Sequence, residues 1–208
     1  MLIRAADGTR LEAEWAAPED AWAVAVLCHP HPQYGGTMRS LVISALFEAL
    51  PARGIACIRF NFRGVEASEG EHSEGRDEPL DVVAALDEAA SHPVLARGAP
   101  LALVGWSFGA DMALAVDDAR VAGWVGIAPP LRFRPANAYA ATATDMRPKL
   151  LVLAANDEFR APSEIETATA AWSATRIEII PGASHFFVGR TDRVVASTAM
   201  FVETLAAS

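Results

Sequence analysis

The sequence predicts an α/β protein built on a mostly parallel central sheet with helices on both faces. Three observations predict it. Short apolar runs alternate with helical-period segments along nearly the whole chain. Most runs are separated by helices rather than tight turns, which implies parallel strands joined by right-handed crossovers. The runs are also near-continuously apolar, as strands covered on both faces must be. The length of 208 residues suits a single domain over 1–208 with a sizeable core.

The elements follow in order. LIRAA and RLEAEW, separated by Asp7-Gly8, read as an opening hairpin. AWAVAVLC is a buried strand. From Thr37 to Arg53 the apolar positions Leu41, Ile43, Ala45, Leu46 and Leu50 suit a helix that Gly54 ends. IACIRFNF is a strand, EPLDVVAALDEAA a helix, PLALVGW a strand, FGADMALAV a helix, and VAGWVGIA and KLLVLAA strands. PSEIETATAAW is a helix, TRIEIIP a strand, and DRVVASTAMFVETLAA the closing helix.

Composition narrows the function. Hydrophobic residues make up 52% and charged residues 21% of the chain, which fits a globular protein and not a disordered one. The net charge of −9 argues against a nucleic-acid partner, because phosphates need a basic face, and against docking on anionic membranes. No run suits a signal peptide or a membrane span, so a cytoplasmic protein is expected. Cys28 and Cys57 lie in apolar strands and read as buried free thiols.

In an open α/β sheet, chemistry collects beyond the strand C-termini. Ser107, in GWSFGAD, directly follows a strand and precedes a helix. That is the context in which Gly-x-Ser-x-Gly presents a nucleophile on a sharp turn. Gly105 and Gly109 leave room where a Cβ would collide, and the helix N-terminus favours developing negative charge. The alternative is a core serine packed among small residues. A serine hydroxyl needs a base. Of five histidines only His185 follows Ser107, in PGASHFF after a strand. The base needs an acid. Asp157 immediately follows KLLVLAA, Glu158 is held in reserve, and Asp145 fits less well. Three strand ends thus supply Ser107, Asp157 and His185.

With these residues in place, the chain resembles the α/β-hydrolase superfamily over nearly its whole length. It looks most like small bacterial serine hydrolases carrying HPHPxxGG, here HPHPQYGGTM from His29 to Met38; RFNFRGVEASEG is also similar. Related dienelactone hydrolases use cysteine where this chain has Ser107. The resemblance implies an oxyanion hole formed by the backbone N–H of Phe108 and of a second residue in the HPHP loop. Pro30 and Pro32 have no N–H. The family's usual position favours His31, with Tyr34 as the alternative. His29 reads as structural. No metal set or nucleotide loop is expected: proline separates His29 from His31 without a third ligand, and YGGT lacks a P-loop pattern. The chemistry needs no cofactor.

The loop after IRFNF carries Arg63 and then Glu66, Glu69, Glu71 and Glu74. It reads as a solvated turn, or else Arg63 reaches the site to bind an acidic group. The linker IAPPLRFRPANAYAATATDMRPK is too short for a multi-helix lid, so an open, shallow site is expected. Tyr34 and Phe186 are candidate substrate contacts, and Trp106 reads as core. The expected activity is hydrolysis of small or short-chain carboxylic esters, falling as pH drops through roughly 6 to 7, the range of an ordinary histidine. A thioesterase or amidase, or a ligand-binding protein without turnover, are the alternatives.

Overall fold

A computed structural model describes residues 1–206. Eight strands form one sheet: β1 (Leu2–Arg4), β2 (Arg10–Ala16), β3 (Ala23–Cys28), β4 (Ile55–Phe60), β5 (Leu101–Trp106), β6 (Gly123–Ile127), β7 (Lys149–Ala154) and β8 (Thr175–Ile180), in the order β1-β2-β4-β3-β5-β6-β7-β8. The expected hairpin is present as β1 against β2, with Ile3 opposite Leu11, and β2 runs antiparallel to β4. All other pairings are parallel.

The described residues form six α-helices: α1 (Leu41–Ala49), α2 (Glu78–Ala90), α3 (Phe108–Leu114), α4 (Ala140–Thr144), α5 (Pro162–Thr169) and α6 (Thr191–Leu205). The period-two alternation of each strand divides the core. In β3, Ala23, Ala25 and Leu27 join α1 and α6 on one face. Val24, Val26 and Cys28 join α2 and α3 on the other. With six apolar residues and no solvent contact, β3 can only be central.

Several expected boundaries move: β4 ends at Phe60 and not Phe62, α3 at Leu114 and not Val116, and α5 at Thr169 and not Trp172. The helix expected over Thr37–Arg53 is shorter at both ends. Met38 N–H is drawn to Asn61 Oδ1 (2.8 Å) and Thr37 N–H to Ser40 Oγ (3.0 Å), so residues 37–40 form a turn. At the far end Pro51, which has no N–H to continue the ladder, begins a short 3-10 turn that Gly54 closes at φ 75°. The closing helix ends at Leu205, and the last residue of the expected segment, Ala207, lies outside the described residues. Cys28 and Cys57 are free and buried.

The chain leaves β3 for β4 on one side, then returns to β5 on the other. This reversal opens a crevice at the carboxyl ends of β3 and β5, the place where open α/β sheets hold ligands. No helix among the described residues is long and apolar enough to cross a membrane.

Candidate active site

Ser107 sits between β5 and α3 with φ 54° and ψ −118°, a conformation that costs a non-glycine residue about 1–3 kcal/mol. The flanking glycines make the turn possible. A Cβ on Gly105 would lie 2.2 Å from Gly109 O, and one on Gly109 would lie 2.3 Å from Cys28 O. The β5–α3 corner therefore packs directly on the end of β3. Ser107 N–H donates to Ile127 O (2.8 Å), pinning the corner to β6.

The hydroxyl meets His185. Ser107 Oγ lies 2.9 Å from His185 Nε2, and His185 Nδ1 lies 2.8 Å from Asp157 Oδ2. All three side chains are buried or nearly so. Burial pushes the Asp157 carboxyl up, but the hydrogen bond from His185 and the N–H groups of Phe159 (2.9 Å) and Arg160 (3.1 Å) outweigh it and hold the group below its usual value. Glu158 serves the backbone instead of the ring, accepting His185 N–H at 3.1 Å. Asp145 pairs with Arg147.

The loop after β3 is anchored from beneath. His29 Nδ1–H donates to Pro30 O (2.6 Å) and its Nε2 accepts Phe62 N–H (3.0 Å). Both ring nitrogens are thereby engaged, and the ring is neutral: burial drives its pKa down to about 3. Asn61 grips the same loop through Met38. In the loop, Tyr34 N–H is taken by His31 O (3.1 Å) and Gln33 N–H by His31 Nδ1 (3.2 Å). His31 N–H has no protein acceptor among the described residues. Phe108 N–H, first in α3, has no intrahelical acceptor. The His31 and Phe108 rings pack at 5.0 Å.

Ser107 and His185 open into a cavity of about 440 Å³ that Tyr34 and Phe186 also line. Trp106 has two surroundings. It is buried and its indole N–H donates to His185 O (3.2 Å), yet its ring also faces the cavity. Phe133 and Phe159 are cavity walls that sequence reading misses. Phe159, two residues past Asp157, was the more findable. Phe133 reaches the site because Asp111 accepts three consecutive peptide N–H groups, those of Leu131, Arg132 and Phe133, at 2.7–3.0 Å. An acid inside the otherwise apolar FGADMAL was its only signal.

The loop is the solvated turn expected for Glu66, Glu69, Glu71 and Glu74, which are exposed, but Arg63 at its start departs from both readings. Its side chain is 6% exposed and is held by Asp81, itself fully buried, and by Asp7. It neither faces solvent nor is free for a substrate anion. The acidic residues behind it are partly paired as well, Glu66 with Arg39 and Glu69 with Arg10. Between β6 and β7 the chain forms only a 3-10 turn (Ala136–Tyr139) and the five-residue α4, and no multi-helix lid covers Ser107.

Residues 22–206 match the family model described as alpha/beta hydrolase domain, and the chain belongs to this family of hydrolases. It is 28% identical over 192 residues to an uncharacterised protein of Rickettsia prowazekii, covering 88% of this chain and 80% of that one. The structure of an alpha-beta serine hydrolase homologue from Coxiella burnetii is similar with a TM-score of 0.84, at 30% identity over 96% of this chain and 95% of its own. A Xanthomonas campestris a/b serine hydrolase without lid is similar with a TM-score of 0.84, at 25% identity over 98% and 93%.

Proposed function

We propose that this hydrolase cleaves small carboxylic esters through an acyl-enzyme on Ser107. The observation that carries the reading is the unbroken line from Ser107 Oγ through the two nitrogens of His185 to Asp157. Ser107 attacks the ester carbonyl while His185 Nε2 takes its proton. Asp157 holds Nδ1–H, which leaves Nε2 as the acceptor and stabilises the imidazolium. The oxyanion is received by the N–H groups of Phe108 and His31, a choice favoured because Tyr34 N–H is already engaged. His185 then protonates the leaving alcohol, and a water activated by the same ring releases the acid.

The test is a ladder of p-nitrophenyl esters, acetyl to long acyl, with wild type and Ser107→Ala in parallel. Turnover by wild type alone, strongest on short chains, is expected. Equal activity in purified Ser107→Ala would refute the nucleophile. Fluorophosphonate labelling of Ser107 reads its activation independently of the ester chosen.

A further inference from the structure

We propose that the cavity at Ser107 selects uncharged esters carrying an aromatic ring; this rests on the reading of Ser107 as nucleophile. Two aromatic clusters line the cavity into which the Ser107 hydroxyl opens. On one side His31 packs with Tyr34 at 4.7 Å and edge-to-face with Phe133 at 4.8 Å. On the other, Phe159 meets His185 at 4.6 Å and Phe186 at 5.9 Å, both edge-to-face. The walls belong to four separate loops, after β3, β6, β7 and β8, so their convergence is not a by-product of one hydrophobic segment. Tyr34, Phe159 and Phe186 remain substantially exposed, although burying them in the core would be favourable.

Among the described residues, no carboxylate, ammonium or guanidinium lines this space. Arg132 lies with its guanidinium carbon 5.3 Å from the Phe133 centroid and is not among the walls. His31 adds no charge either, since burial and then neighbouring His72 hold its pKa down to about 4. A charged substrate arm would give up hydration here for no partner among the lining residues, the charge of Arg132 reaching His31 only from outside them. The volume of about 440 Å³ sits low in the small-ligand range of roughly 300–1,000 Å³. It suits a ring with an ester, not a long lipid. A flat ring inserted between the walls can meet ring edges and faces at once. A saturated ring of the same carbon skeleton offers apolar area but no quadrupole.

The experiment compares such pairs: methyl 3-phenylpropanoate with methyl 3-cyclohexylpropanoate, and 2-phenylethyl acetate with 2-cyclohexylethyl acetate. Two methylenes insulate each reacting carbonyl or alcohol from the ring, so intrinsic reactivity is matched. The aromatic member is expected to have roughly tenfold higher kcat/KM in at least one pair. Phe159→Leu and Phe133→Leu are expected to lower that ratio toward one while Ser107 still takes a fluorophosphonate label. Equal or better turnover of both cyclohexyl esters overturns the proposal. So does a labelled enzyme that turns over neither pair. An unlabelled Ser107 overturns the nucleophile reading beneath it, and the two failures are thereby distinguished.

Discussion

Acid titration of stability tests the role of His29. The ring donates from Nδ1 to Pro30 O and accepts at Nε2 from Phe62 N–H. A proton added at Nε2 would face another donor in a site without water contact. Burial accordingly lowers the folded pKa to about 3, whereas an unfolded histidine titrates near about 6.5. Between those values the unfolded chain binds more protons than the folded one. Stability therefore rises with pH across this window and is lost as pH falls through it, by about 1.4 kcal/mol per unit. From pH of about 7.5 to about 4.5, His29 should remove about 3 kcal/mol of unfolding free energy. The assay is urea unfolding followed by the fluorescence of the five tryptophans, for wild type and His29→Gln at a series of pH values. His31, also shifted down, contributes with the same sign but is present in both proteins, so the difference between profiles isolates His29. His29→Gln should start less stable and lose less on acidification. Parallel profiles would refute the reasoning.

Three more outcomes are expected. Asp157→Asn should lower kcat by about 10³–10⁴-fold by favouring the wrong imidazole tautomer, whereas Glu158→Gln, which touches only His185 N–H, should lower it far less; stopped-assay kinetics at one pH compare them. Gly109→Ala should destabilise the fold by several kcal/mol, on the order of an overpacked core, because its Cβ would lie 2.3 Å from Cys28 O and 2.4 Å from His29 O; thermal unfolding measures it. Asp81→Ala should cost about 3–5 kcal/mol by leaving the Arg63 guanidinium buried with only Asp7 for a partner, read by the urea midpoint.

Much of this molecule is written locally. Alternating apolar runs define the strands, and strand ends locate Ser107, Asp157 and His185, because parallel topology brings all carboxyl ends to one edge. What could not be read depends on contacts between distant segments. Strand order is one case: nothing within β3 or β4 says that β4 will insert between β2 and β3. Arg63 is another. Its acidic neighbours in sequence suggest a solvated turn, but the partners that bury it are Asp81 in α2 and Asp7 before β2. His72 is a third, an unremarked residue of that loop whose ring packs on His31 at 4.9 Å and on Phe108 at 5.4 Å. The start of α1 moved because Asn61, some twenty residues on, claims the Met38 N–H.

The grip of Asp111 on the peptides of Leu131, Arg132 and Phe133 divides the β6–β7 connection into unequal parts. Its first few residues are rigidly coupled to α3, the helix that follows Ser107, so the wall built on Phe133 keeps its place whatever follows. The stretch from Pro135 to Pro148 contributes no wall to the cavity, and its residues 135–137 are exposed before Tyr139 and Thr142 return to the core. Added length there costs little, since loop closure rises by only about 0.6 kcal/mol per doubling. The clamp thus separates a fixed threshold from the exposed turn at residues 135–137, and offers a grafting point there where a cover could be installed over the open crevice without re-engineering the chemistry below.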